Sequence, residues 1–238
     1  MTKTAIVTGA SRGIGLAVSK RLAASDFAVY GIARKFERDS RELFAQTWSL
    51  DLGDIGNLPD AFKRLGINAL EPEVVIFCAG IGKFGSLEQM SNDDISTLVD
   101  LNLVSPMLLT RAVLPGMRRR GCGRLIYLGS EAAHRPGRKG SLYCASKSGL
   151  RGFVHALRED VAQSGVAVSI INPGMTATGF YDALDFAPGV EAGQHLEVET
   201  VADAVELVIN ANPGVVYDEI NLSPANRVID FRKKPTTR

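Results

Sequence analysis

Cysteine is scarce in this chain of 238 residues: Cys78, Cys122 and Cys144 are its three, an odd number at wide spacings. That pattern supplies neither a disulfide framework nor a zinc-ligand set, and reduced thiols in a cytoplasmic protein are the plain reading. Histidine is as scarce. His155 and His195 have no metal partners, so no metal centre is expected, and His134, close after Ser130, reads as a solvated loop residue, with lining the substrate mouth as the alternative. Neither sign of charge is in excess: 27 basic against 26 acidic residues leave +1, which gives no electrostatic ground for a nucleic-acid partner. The basic tail from Phe231 to Arg238 reads as a solvated terminus. No apolar run approaches the roughly 18 residues that a membrane span needs. Ala5-Ile6-Val7 leads straight into a glycine-rich stretch rather than a signal peptide. A Gly-x-Ser-x-Gly elbow is missing too, since Ser130 stands in Leu128-Gly129-Ser130-Glu131-Ala132, and this disfavours a Ser-His-Asp hydrolase.

What the chain has is apolar content, 45%, in short blocks. Strands are expected at Thr4–Thr8, Ala28–Ala33, Thr47–Leu50, Val74–Phe77, Arg124–Leu128, Ala167–Ile171 and Val215–Leu222. They are continuous and rich in Val and Ile, as parallel strands covered on both faces should be. Helical patterns fill the intervals: Gly13–Ala24, Gly56–Leu65, Asn92–Arg120, Ser141–Gln163 and Val201–Asn210. Alternation of this kind implies one α/β domain, residues 1–238, with a doubly wound, mostly parallel seven-stranded sheet of Rossmann type and helices on both faces. The long irregular segment 172–197 is expected to be a substrate lid.

Two stretches carry chemistry. Thr8-Gly9-Ala10-Ser11-Arg12-Gly13-Ile14-Gly15 follows the first strand and opens the first helix. Its glycines let the backbone turn tightly and approach a pyrophosphate at the positive helix end, although the spacing is G-x-x-x-G-x-G and not G-x-G-x-x-G. The second is Ser130 to Lys147. A helix entered after Gly140, with Ser141 as its cap, sets Tyr143 and Lys147 one turn apart on one face. A phenol titrates near ~10, and an ammonium at roughly 4 Å favours the phenolate by up to ~4 kcal/mol, enough to lower its pKa by about 3 before desolvation takes its share. A tyrosine tuned in this way could exchange a proton with a carbonyl oxygen or an alcohol.

Taken in order, these residues resemble the short-chain dehydrogenase/reductase family: Thr8 to Gly15, Asp51, Ala79-Gly80, Asn102, Ser130, Tyr143 with Lys147, and Pro173-Gly174, with Ser130 thirteen residues before Tyr143. The resemblance covers nearly the whole chain and implies an oxidoreductase. Tyr143 would be its acid-base residue, with Lys147 lowering the pKa and bonding the nicotinamide ribose. Ser130 would bind the substrate oxygen, and Asn102 would hold a water that links Lys147 to solvent. Asp51 with Leu52 would meet the adenine; Thr176 and Thr178, with Pro173 and Gly174, would lie against the nicotinamide; Gly9, Ser11, Gly13, Ile14 and Gly15 would hold the phosphates. Cys78 departs from the pattern, standing where the family usually has Asn before Ala79-Gly80.

Charge bears on the cofactor. An acid near the end of the second strand would bind a ribose 2′-hydroxyl and repel a 2′-phosphate. Ala33 stands there, followed by Arg34, and with Arg12 this favours NADP(H) over NAD(H). Phe180, Tyr181, Leu184 and Phe186 in the lid either face the substrate or pack the lid down. The expected partner is a small carbonyl compound or alcohol, with no nucleic acid and no membrane. By resemblance the helices Ile95–Leu114 and Tyr143–Val161 would build a homodimer or homotetramer. A catalytically idle NADP-binding sensor, and an epimerase or dehydratase on the same scaffold, are the alternatives.

Overall fold

The computed structural model describes residues 3–231. Seven parallel strands form the sheet in the order β3-β2-β1-β4-β5-β6-β8: β1 Lys3–Thr8, β2 Phe27–Ala33, β3 Gln46–Ser49, β4 Val74–Phe77, β5 Gly123–Leu128, β6 Val166–Pro173 and β8 Glu219–Leu222. Between them run α1 Gly13–Ala24, α2 Leu58–Arg64, α3 Asn92–Val99, α4 Ser105–Arg120, α5 Ser141–Val161 and α6 Val198–Ile209. A short strand β7, Phe186–Pro188, pairs antiparallel with β9, Ile229–Phe231.

Each central strand is apolar throughout because its alternate side chains serve two different cores. Ile6, Val75, Leu125 and Val168 face the layer holding Phe62 of α2, Leu109 of α4 and Leu150 of α5. Val7, Ile76, Ile126 and Ile171 face the opposite layer, with Val18 of α1 and Val205 of α6. Burying side chains of this size stabilises the fold by roughly 1.5–3 kcal/mol apiece before entropy is counted. Parallel register is fixed by the same pattern, since Ile6 lies opposite Tyr30 on one side and Val75 on the other. The chain builds outward from β1 through β2 to β3, then restarts on the far side of β1 with β4. A crevice therefore opens at the carboxyl ends of β1 and β4, where such folds take ligands.

Several details differ from the sequence expectations or add to them. The helix expected over Asn92–Arg120 is continuous but changes to π geometry at Asp100–Val104, a wider turn that helical periodicity does not betray. By length and composition this 29-residue helix could also cross a membrane, contrary to the reading of runs alone; Leu98, Leu109 and Met117 on it are fully buried in the protein. The strand expected from Val215 begins only at Glu219. Ser141 is the first residue of α5 rather than its cap, which is Gly140. The expected lid is tied down at several points: Thr176 bridges Leu196, and Phe186–Pro188 has its strand partner at the end of the described chain. Beyond Phe231, the basic tail lies outside the described residues.

Candidate active site

A cleft of about 1150 Å³ lies across the carboxyl ends of β1, β2, β4 and β5. Its floor is the glycine turn. Gly9 has φ +65°, and a Cβ there would sit 2.9 Å from the backbone of Ala79. A Cβ on Gly15 would collide with the carbonyl of Gly9, so only glycine lets α1 start so close under β1. α1 has no side-chain cap and no acid in its first turn. Its free N–H groups and positive dipole end face the cleft, an arrangement suited to a pyrophosphate. The turn is braced by Thr8, whose hydroxyl accepts from Ala79 N at 3.1 Å and so ties β1 to the end of β4. Ser11, Gly13 and Ile14 line the same floor.

At one end of the cleft are Arg12, Arg34 and Asp51. Arg12 and Arg34 are exposed, and neither forms an ion pair among the described residues. Arg12 leans toward the lid, where a Cβ on Gly179 would be 3.4 Å from its Nη1. Asp51 Oδ1 accepts from Gly53 N at 2.9 Å, and Leu52 beside it is buried. Glu37 also lines this end. Sequence reasoning missed it by stopping at the strand end; an acid so near an expected 2′-phosphate is the signal that was there to find.

At the other end four polar side chains converge. Tyr143 and Lys147 share one face of α5 and are 7% and 6% exposed. Lys147 donates from Nζ to the carbonyl of Leu128 at 2.9 Å, which holds it under the end of β5. Ser130 follows that strand end, and its hydroxyl accepts from Ala132 N at 3.2 Å to start a short 3-10 turn. Asn102 occupies the π segment and is 1% exposed. Its Oδ1 accepts from Ile81 N at 3.0 Å, and Nδ2 donates to Ile81 O at 2.9 Å and to Ser146 Oγ at 3.2 Å. The wider turn thus presents Asn102 to the chain after β4. Gly80 lies between Asn102 and Lys147: a Cβ there would be 3.1 Å from Asn102 Oδ1 and 3.7 Å from Lys147 Nζ. Ala79, Pro173, Gly174, Thr176 and Thr178 complete the wall.

The electrostatics differ from the sequence expectation. Burial pushes the Tyr143 phenol up to about 12; the Ser130 hydroxyl pulls it down, and Cys144 and Glu131 push it further up. Burial pulls the Lys147 ammonium down to about 8, with Cys78 acting weakly the other way. The physical reason is desolvation: Tyr143 packs against Phe84 and Phe180, whose rings are 5.1 Å and 5.9 Å from its own, and Lys147 is buried beneath the end of β5. Cys78, at the position of the family Asn, lines the cleft, and burial pushes its thiol up to about 12, so it stays neutral.

Both readings of the lid aromatics hold for parts of it. Phe180 and Tyr181 line the cleft, while Phe186 packs on Phe84 at 4.9 Å and on Tyr181 at 5.9 Å. The histidines take no part in the cleft. His195 bonds Gly189 O and Glu197, and His134 and His155 both meet Glu219.

A family model described as short chain dehydrogenase matches residues 3–186. Carbonyl reductase family member 4 of Xenopus tropicalis is 31% identical over 218 residues, 89% of this chain and 92% of its own. A metagenomic short-chain oxidoreductase solved with NADP is 29% identical with a TM-score of 0.78, covering 94% of this chain and 98% of its own. The fold alone is shared with a 4-hydroxyisoleucine dehydrogenase solved with NADH, at 20% identity, a TM-score of 0.80, and 93% and 97% coverage.

Proposed function

Because the chain belongs to the short-chain dehydrogenase/reductase family, a family of hydride-transferring oxidoreductases, we propose that it is an NADP(H)-dependent reductase of small carbonyl compounds. One observation carries this reading: Ser130, Tyr143 and Lys147 meet at the end of a cleft whose floor is a glycine turn beneath an uncapped helix. The turn suits a pyrophosphate, because a Cβ at Gly9 or Gly15 would collide with backbone and force the chain off its course beneath α1.

NADPH, when bound, supplies the hydride. The side chains handle the proton and the oxygen. Ser130 donates a hydrogen bond to the carbonyl oxygen and fixes its direction. Tyr143, kept as a neutral phenol by burial, gives its proton to that oxygen as negative charge develops there. Lys147, charged at neutral pH even with its pKa near 8, stabilises the phenolate left behind. Its position beside Asn102 across Gly80 gives a route for the returning proton. A phenol held protonated favours reduction near neutrality; alcohol oxidation needs the phenolate and should strengthen as pH rises. Asp51 and Leu52 meet the adenine, and Thr176 and Thr178 the carboxamide.

NADP(H) over NAD(H) rests on Arg12 and Arg34, which have no carboxylate partner among the described residues and lie where a 2′-phosphate would add charge. Glu37 opposes them. The NADP-bound relative supports this preference and the NADH-bound neighbour does not. The outer faces of α3 to α5 are the proposed surfaces of a homodimer or homotetramer, and the cytoplasm is the proposed location. A fluorescence titration with NADPH and NADH tests the cofactor: NADPH should bind at least tenfold more tightly, and equal affinities would remove the preference. NADPH binding with no turnover on a broad carbonyl panel would instead support the idle sensor.

A further inference from the structure

Glu219 opens β8, at the edge of the sheet, and its carboxylate is 14% exposed. It is the meeting point of donors from three segments. Arg151 Nε and Nη2 reach its two oxygens, each at 2.8 Å. His155 Nε2 is at 3.1 Å from Oε2, and His134 Nε2 at 2.7 Å from Oε1. Asn172 Nδ2 donates to Oε1 at 2.5 Å and also reaches Asn221 Oδ1 at 3.0 Å. A carboxylate accepts hydrogen bonds and donates none, which suits it to a place ringed by donors. Arg151 first of all holds the Glu219 carboxyl down to about 2, so it is ionised throughout the neutral range.

The origins of those donors matter. Arg151 and His155 lie one and two turns beyond Lys147 on α5, the helix that bears Tyr143. His134 closes the short turn that Ser130 begins. Asn172 precedes Pro173-Gly174 on β6 and is fully buried. Its Oδ1 has no hydrogen-bond partner among the described residues and lies where a Cβ on Gly129 would be, against the residue before Ser130. Turning that amide over would aim its oxygen at the carboxylate, so Glu219 also fixes which way Asn172 faces.

We infer that Glu219 is a positioning residue, whose carboxylate locks the Ser130 turn and the end of β6 to the helix bearing Tyr143 and Lys147. It touches neither the glycine turn nor Arg12 or Arg34, so its loss should impair turnover and leave nucleotide affinity alone. The catalytic part of this inference rests on the reductase reading, whereas the locking itself does not. The test is Glu219→Gln, whose amide NH₂ must face a donor in either orientation. Three quantities are measured against wild type: hydrogen exchange of the segment 129–135, the dissociation constant for NADPH, and kcat with a carbonyl that the wild type reduces. Exchange should rise at least tenfold, kcat should fall by about 10- to 100-fold as reacting groups are misplaced, and NADPH affinity should stay within about threefold. Unchanged exchange overturns the inference whether or not the wild type reduces anything. Equal losses in affinity and kcat would also overturn it, as the sign of general damage. If Glu219→Gln does not fold, His134→Ala removes the contacts of the Ser130 turn to Glu219 and to Asn172 Nδ2, 3.1 Å away, and must show the same split; wild-type exchange and kcat in that variant would overturn the inference.

Discussion

Replacing Lys147 with methionine should destroy activity and, near neutral pH, make the protein more stable. Burial lowers the ammonium from 10.5 to about 8, and at ~1.36 kcal/mol per pKa unit this amounts to about 3 kcal/mol of unfavourable charge burial in the folded state. The folded pKa is below the unfolded one, so the unfolded chain binds more protons between pH 8 and 10.5. Stability of the wild type is therefore reduced below pH 8 and recovers as pH climbs from 8 to 10.5. Methionine fills much the same space without the charge. Against the gain stands the carbonyl of Leu128, which loses its donor, a loss of about 2 kcal/mol for a buried acceptor. The net is about 1 kcal/mol in favour of the variant at pH 7, or roughly 3 °C in Tm for a chain of this size. By pH 10 the charge penalty has shrunk to about 1 kcal/mol, and the variant should be the less stable protein by about 1 kcal/mol. Thermal or urea unfolding of nucleotide-free protein at both pH values gives the comparison. A variant less stable than wild type at pH 7, or a gap that does not change between the two pH values, would refute the reasoning.

Arg34→Asp should weaken NADPH binding by about 10- to 100-fold, the worth of a charge-assisted contact, and leave NADH binding unchanged or improved; a titration of each nucleotide decides it. Gly15→Ala drives a methyl into the carbonyl of Gly9, so the protein should lose about 1–3 kcal/mol of stability in urea and most of its NADPH affinity. For Glu219 the carboxyl is depressed from 4.5 to about 2. Its contribution, up to about 3 kcal/mol, is therefore complete above pH 4.5 and lost as pH falls toward 2. Unfolding curves of wild type and Glu219→Gln should accordingly converge with acid.

Much of this architecture was legible because local chemistry and tertiary placement agree. α1 runs from Gly13 to Ala24 as its pattern predicts, since the glycines that admit it are in the same stretch. Ser130, Tyr143 and Lys147 come together because a strand end and the following helix suffice to juxtapose them. What escaped the sequence depends on partners far along the chain. Tyr143 is buried by Phe84 and Phe180 from two separate loops, so its phenol moves up where a tyrosine-lysine pair in isolation suggests down. Phe186 finds its strand partner in Phe231, across an interval that no local pattern spans. The π turn that seats Asn102 leaves the helical periodicity of Asn92–Arg120 almost unmarked. Glu219 is a lone acid in a short edge strand, and only the fold brings it two histidines and an arginine.

The central claim is that Tyr143 delivers a proton during hydride transfer to a carbonyl. NADPH oxidation by wild type and Tyr143→Phe, measured over a panel of diverse ketones and aldehydes, tests it most directly. The account predicts turnover by the wild type and a fall in kcat of about 10²- to 10⁴-fold in the variant, with NADPH affinity retained. A Tyr143→Phe protein that reduces the same carbonyls at the wild-type rate would contradict it.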